Sequence, residues 1–174
     1  MPFLPRALCL LLVGLFVVGP AIAASAAEKL FRPEEFFSGR TRSTGVFRNT
    51  FGDSSQRFTT DCRGRMRQGT LYLDQHFRYA DGRTQERHWQ IRRVGATRYV
   101  GRANDVVGEA RGAVDGASFH FAYTVAIKPG NGFYNVQLEQ TMTLRRDGTV
   151  ENQATIRKLG IPISRVIERF RRAE

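Results

Sequence analysis

The feature that most constrains this chain is an alternation of apolar and polar residues, which recurs in successive segments over most of its length. Between Ser118 and Ile127 every second residue is apolar, and Thr70 to Tyr79 repeats the pattern. A period of two places successive side chains on opposite faces of a β-strand. Each segment is therefore predicted to be a strand with one apolar face directed at a common core.

Short turns separate these segments at intervals of roughly 10 to 14 residues. Asp81-Gly82, Asp115-Gly116 and Asp147-Gly148 have the residues that tolerate the positive φ of a tight hairpin. Successive hairpins predict an all-β antiparallel meander, and closure removes its exposed edges. We expect an up-and-down, lipocalin-like barrel or a strongly curled sheet of about eight to ten strands. Proline, acids and two phenylalanines at residues 33–37 predict a short helical turn before the first strand.

The N-terminal segment has the features of a secretory signal peptide. Arg6 precedes an apolar run, Ala7 to Val18, that is too short to span a bilayer, and small residues follow it. Residues 1–26 are therefore predicted to be cleaved. Residues 27–174 would then form a single β-barrel domain in the periplasm.

The formal net charge is +11 at pH 7, and most of the positive charge is carried by arginine. Such a charge attracts polyanions at long range. An exported protein would meet anionic lipid headgroups rather than nucleic acid, although an arginine-rich surface can also be solvated without a partner. Cys9 would leave with the signal peptide and lies in no lipobox. Cys62 would then be the only cysteine, so no internal disulfide is expected.

Several short motifs are spread over the strands and their turns. They are Gly45-Val46-Phe47, Phe51-Gly52, Leu71-Tyr72-Leu73-Asp74, Tyr79-Ala80-Asp81-Gly82, Arg87-His88-Trp89-Gln90-Ile91, Tyr99-Val100-Gly101, Asp105-Val106-Val107-Gly108-Glu109-Ala110, Asn152 and Lys158-Leu159-Gly160. With these motifs the chain resembles, over roughly Phe36 to Phe170, the bacterial envelope family of domain of unknown function 3833. Many members are lipoproteins, and the resemblance implies no known activity. Two positions depart from its pattern: Gln75 replaces an acid, and Gln140 replaces the aspartate of an Asp-Trp-Met motif.

The sequence lacks the motifs of several common chemistries. No glycine-rich phosphate loop precedes a helix, and we find no paired-cysteine motif, no His-Glu-x-x-His and no nucleophile elbow. A three-histidine metal site would need all of His76, His88 and His120, and two of them fall on the polar face of their strands. We therefore expect neither a metal site nor a cofactor.

One stretch stands out by its composition, because Tyr99 to Gly112 places glycines and acids inside an otherwise strand-like run. Asp105 shares strand parity with apolar neighbours there, so its carboxylate would point into the barrel. Burial would raise its pKa and suit it to acid–base work, which makes it a weak catalytic candidate. Alternatively, Asp105 caps a turn or pairs with an arginine such as Arg87, and its role would then be structural.

Inward-facing positions also supply candidate ligand contacts. Asn152 and Lys158 share parity with apolar residues, and an amide beside an ammonium would suit a ligand's carboxylate or phosphate. A long lysine side chain can equally extend outward at the barrel mouth. The predicted ligand-binding residues are Arg87, Trp89, Tyr99, Asp105, Tyr123, Asn152 and Lys158.

These features favour a periplasmic binding protein, rather than an enzyme, for a small hydrophobic or amphiphilic ligand that carries an anionic group. Two alternatives stay open. One is a non-catalytic envelope scaffold that meets lipid headgroups through a basic face. The other is an isomerase-like or cyclase-like enzyme that uses Asp105 as its acid or base. An open interior would favour the first function, whereas a filled interior would favour the scaffold. The pattern fixes neither the ligand nor the oligomeric state.

Overall fold

The computed structural model describes residues 30–127 and 134–173, which form one short helix and ten β-strands. The predicted signal peptide and the predicted turn at residues 129–132 lie outside the described residues. The helix is α1 (Pro33–Phe36). The strands are β1 (Gly39–Asn49), β2 (Ser55–Arg67), β3 (Thr70–Tyr79), β4 (Thr84–Arg93), β5 (Arg98–Arg102), β6 (Val106–Asp115), β7 (Ser118–Ile127), β8 (Tyr134–Leu144), β9 (Val150–Lys158) and β10 (Ile161–Arg172).

The strands form a closed antiparallel barrel in which each strand pairs with its neighbours in sequence. The ring closes through β1 and β10, whose register runs from Thr41 opposite Arg172 to Asn49 opposite Ser164. The predicted all-β, up-and-down barrel with a short N-terminal helix is therefore confirmed. Closure leaves β1 and β10 without a free edge. Within the described residues, no helix combines the length and hydropathy needed to cross a bilayer.

The two ends of the barrel differ. α1 packs across one end, which we call the base, where Phe37 meets Phe170 edge to face with ring centroids 5.3 Å apart. Phe31 meets Phe119 in the same way at 6.4 Å. We call the opposite end the mouth; the β1–β2, β3–β4, β5–β6, β7–β8 and β9–β10 connections lie there. Aromatic side chains therefore cover the base.

The unusual stretch at residues 99–112 forms β5, a turn and a bulged β6. The pairing of β6 with β7 shifts register between Val107 and Arg111, and Gly108 in this bulge has a φ of +74°. A Cβ atom at Gly112 would lie only 2.6 Å from the ring of Phe119. Gly108 therefore permits the bend in the strand, and Gly112 permits close packing against an aromatic ring.

Candidate functional site

A cavity of about 580 Å³ occupies the barrel interior, a volume typical of sites for small molecules. It reaches from Pro33 and Phe37 at the base to Gln56 and Thr84 at the mouth. Eight strands contribute side chains to its walls, and β5 and β6 contribute none of the described lining. The interior is therefore open enough to hold a ligand, as the binding function requires.

One wall of the cavity is aromatic and comes from β4 and β7. Trp89 packs against Phe121 and Tyr123 with ring centroids 5.2 and 5.0 Å apart, and Phe119 stacks on Phe121 at 5.1 Å. Alternation places these residues on the inner faces of their strands, where all four are buried. The wall offers flat apolar surface to a ligand.

A buried ion pair lies near the mouth. The Nε of Arg87 donates to Oδ1 of Asp105 at 2.9 Å, and Nη2 donates to Oδ2 at 2.7 Å. The side chain of Gln85 also donates to Oδ2, at 3.1 Å. The two charged side chains are only 11% and 15% exposed, and the Arg87 guanidinium lies 5.5 Å from the ring centre of Tyr123. Arg87 therefore brings a positive charge to the cavity wall that Asp105 neutralises.

A second polar group on the wall surrounds Glu168 of β10. Its Oε1 accepts hydrogen bonds from the hydroxyls of Ser43 at 2.5 Å and Thr60 at 3.1 Å, and its Oε2 accepts one from the Asn152 amide at 3.2 Å. Burial raises the pKa of Glu168, and these three donors only partly oppose that effect. Glu168 and Asn152 both line the cavity. The cavity therefore carries a buried carboxyl group that the sequence analysis did not single out.

Glutamines provide further polar contacts on the wall. The indole of Trp89 donates to Gln75 Oε1 at 3.0 Å, and the Tyr123 hydroxyl donates to Gln140 Oε1 at 3.4 Å. Burial raises the pKa of the neighbouring Cys62 thiol to about 12, so this cysteine is a protonated core residue at neutral pH. Gln75 and Gln140, which the sequence analysis expected to depart from the family pattern, both line the cavity.

The structure brings four of the seven predicted ligand contacts together. Arg87, Trp89, Tyr123 and Asn152 line the cavity. Asp105 is not itself a lining residue and is joined to the wall through Arg87. This pairing with Arg87 is the structural alternative that the sequence left open. A ligand-binding role for these residues stays a prediction.

Besides Asp105, two more of the predicted contacts do not line the cavity. Tyr99 is buried at the base, where its hydroxyl donates to Glu34 of α1 at 2.9 Å. Lys158 is exposed at the end of β9, with Nζ 4.3 Å from the ring centre of Tyr134. Of the two alternatives that the sequence left open for Lys158, the structure therefore shows the outward one, because β9 extends to the mouth, where a long side chain reaches solvent. The phosphate or carboxylate grip inferred from Lys158 is absent from the described cavity wall.

The sequence analysis did not identify Glu168, although the alternation of residues along β10 indicates that it faces the interior. It alternates with Val166 and Phe170, and both of these residues are buried. Glutamate side chains are mostly exposed in folded proteins, so the residue type alone does not indicate burial at this position. In the described part of the chain, no group of three or more His, Cys, Asp or Glu side chains is arranged to hold a metal ion.

Comparisons with known proteins identify a family and a fold. No curated protein matches the chain. The solved structure of the S-type phycobiliprotein lyase CPES from Guillardia theta is similar, with a TM-score of 0.60 and 6% sequence identity; the match covers 81% of this chain and 90% of that chain. At this identity the likeness shows a shared lipocalin-like fold alone. The family model described as protein of unknown function (DUF3833) matches residues 10–172. The chain therefore belongs to the DUF3833 family.

Proposed function

We propose that this barrel is a binding protein for a small hydrophobic or amphiphilic molecule, which it holds in the interior cavity. The observation that carries the proposal is a cavity of about 580 Å³ that combines an aromatic wall with a few buried polar groups. Such a combination is typical of ligand sites, because apolar surface supplies affinity and sparse polar groups fix orientation. The predicted signal peptide supports a periplasmic place of action.

The enzyme alternative has less support from the described geometry. Both carboxylate oxygens of Asp105 accept hydrogen bonds from Arg87, and one also accepts from Gln85. A carboxylate whose two oxygens are both occupied by an arginine fork has little capacity left to contact a substrate. This arrangement favours a structural role for Asp105 and a binding function for the cavity.

Filling the cavity is expected to weaken binding. Ala154→Phe would place a ring at a buried lining position, and we expect it to weaken binding of the neutral probe N-phenyl-1-naphthylamine by about tenfold or more. The chain contains a single tryptophan, Trp89, so its emission reports occupancy of the cavity wall directly. Titration of the probe against Trp89 fluorescence measures the effect.

The matched control places the same ring outside the barrel. Ala122 is exposed on β7, so Ala122→Phe should leave the affinity for the probe unchanged. Equal affinity of wild type and a folded Ala154→Phe protein would contradict binding in this cavity. Absence of probe binding to the wild-type protein would contradict the proposed function itself.

A second candidate function, contact with an anionic lipid surface, is favoured by apolar residues at the mouth. Phe51, Leu159 and Ile161 are 66%, 92% and 55% exposed. Phe51 lies in the β1–β2 connection, Leu159 in the β9–β10 connection and Ile161 at the start of β10. These segments are neighbours, since the Thr50 amide donates to the Ile163 carbonyl at 3.0 Å. We propose that this apolar rim inserts among lipid headgroups, so that an apolar ligand passes between membrane and cavity without crossing open water.

Removing the apolar rim is expected to weaken lipid contact. The double variant Phe51→Ser with Leu159→Ser should bind vesicles of phosphatidylglycerol about tenfold less tightly in a sedimentation assay, since two exposed apolar side chains are lost. The control is Met66→Ser with Val94→Ser, which removes two exposed apolar residues at the base. Equal binding by both double variants would contradict contact through the mouth.

A further inference from the structure

The polar groups around Glu168 have an unequal balance of donors and acceptors. Ser43, Thr60 and Asn152 all donate to the carboxylate, two of them to Oε1 and one to Oε2. All four side chains are buried. A carboxylate oxygen can accept two hydrogen bonds, so Oε2 keeps capacity for one more donor.

The Asn152 amide oxygen adds to this excess of acceptors. Oδ1 has no hydrogen-bond partner among the residues that the structure describes, although Asn152 is only 4% exposed. Buried amide oxygens are nearly always satisfied, so an unpartnered one indicates a donor that is brought from outside. Asn152 and Glu168 are both cavity-lining residues, and a bound molecule can supply that donor.

The charges of the cavity wall point the same way. Arg87 is the one buried cation of the described lining, and two of its nitrogens already donate to Asp105. Lys158 is exposed outside the cavity. The other cation of the described lining, Arg83, is exposed at the mouth and paired with Asp81. An anionic group placed beside Glu168 would therefore lose its hydration and meet a carboxyl group without a free cation to compensate it.

We propose that the ligand presents a hydrogen-bond donor, an amine or a hydroxyl, to the Glu168 carboxyl and the Asn152 amide oxygen, and that ligands ending in a carboxylate are rejected. This inference rests on the proposed binding function and reverses the anionic ligand expected from the sequence. Glu168 lies between Val166 and Phe170 on the inner face of β10. The donor is therefore held partway down the cavity, with apolar wall on either side along the strand.

The test compares three probes with the same alkyl chain. Dodecylamine and dodecanoate below their micelle concentrations, and dodecanol below its solubility limit, compete with N-phenyl-1-naphthylamine for the wild-type protein at pH 7. Dodecylamine and dodecanol are expected to displace the probe at concentrations at least about tenfold lower than dodecanoate, since one hydrogen bond to the buried Glu168 and Asn152 oxygens is gained or lost. Dodecanoate displacing the probe as readily as dodecylamine would overturn the inference.

Variants then assign the preference to Glu168. Glu168→Gln should reduce the preference for dodecylamine over dodecanoate to about threefold or less, because the amide replaces an acceptor by a donor. The control is Glu139→Gln, which removes one exposed carboxylate from the outer surface and should keep the wild-type preference. An unchanged preference in Glu168→Gln would overturn the role of this residue.

The outcomes separate the inference from the function on which it rests. If the neutral probe binds but dodecylamine and dodecanol displace it no better than dodecanoate does, the donor preference fails and the binding function stands. If the probe does not bind to the wild-type protein, both fail. If Glu168→Gln does not fold, the wild-type series still decides, because it needs no variant.

Discussion

Asp105→Asn is expected to lower the free energy of unfolding by about 3 kcal/mol, because it leaves the buried Arg87 guanidinium without its counter-charge. The loss should be large for a single isosteric change, since both side chains are at most 15% exposed and Arg87 Nη2 lies 2.7 Å from Asp105 Oδ2. Urea unfolding followed by Trp89 emission measures it. Converting the pair to apolar residues in an Arg87→Met, Asp105→Leu double variant should recover much of the loss, because no unpaired charge then stays buried.

The control for this prediction is an exposed ion pair of the same chemistry. Asp61 accepts a hydrogen bond from Arg42 at 2.7 Å and another from Arg78, and these arginine side chains are 54% exposed. Asp61→Asn should therefore cost less than about 1 kcal/mol. Equal losses in Asp61→Asn and Asp105→Asn would show that burial of the Arg87–Asp105 pair does not matter.

Much of the fold was predictable because its determinants are local. The alternation in β7, from Phe119 to Ile127, fixes which face of that strand is buried, and Asp115-Gly116 supplies the hairpin turn before it. Repeated along the chain, these two signals require a meander, and the cost of free edges favours closure. The strand number and the pairing of β1 with β10 depend on the whole chain. The sequence therefore predicted only a range of eight to ten strands, and it left a closed barrel and a strongly curled sheet as alternatives.

The site was predictable only in part, because parity gives the face of a strand but not the depth within the barrel. Trp89 and Tyr123 lie on inner faces at the level of the cavity. Tyr99 lies at the base beneath it, and Lys158 extends beyond it at the mouth. Depth depends on how neighbouring strands are staggered. Glu168 is separated from Ser43 by 125 residues and from Thr60 by 108 residues in the sequence, so no local pattern can predict these contacts.

Gly64→Ala is expected to lower the free energy of unfolding by about 3 kcal/mol or more and to detach α1 from the base. A Cβ atom at Gly64 would lie 1.8 Å from the backbone oxygen of Phe37 and 2.8 Å from its carbonyl carbon. Backbone atoms cannot rotate away as the end of a side chain can, so α1 or β2 must move. Urea unfolding measures the stability, and amide hydrogen exchange at Phe37, which donates to Pro33 at 2.9 Å, reports the helix.

The matched change is Gly95→Ala, where the nearest atom to the new Cβ is 3.6 Å away on the flexible Arg98 side chain, so stability should stay within about 0.5 kcal/mol of wild type. The comparison also tests the cavity. Phe37 lines its lower end, so a displaced α1 would open the base to water and weaken binding of N-phenyl-1-naphthylamine in Gly64→Ala but not in Gly95→Ala. Wild-type stability in Gly64→Ala would contradict the close packing of α1 on β2, and exchange that shows α1 displaced while the probe affinity is unchanged would show that α1 does not seal the base.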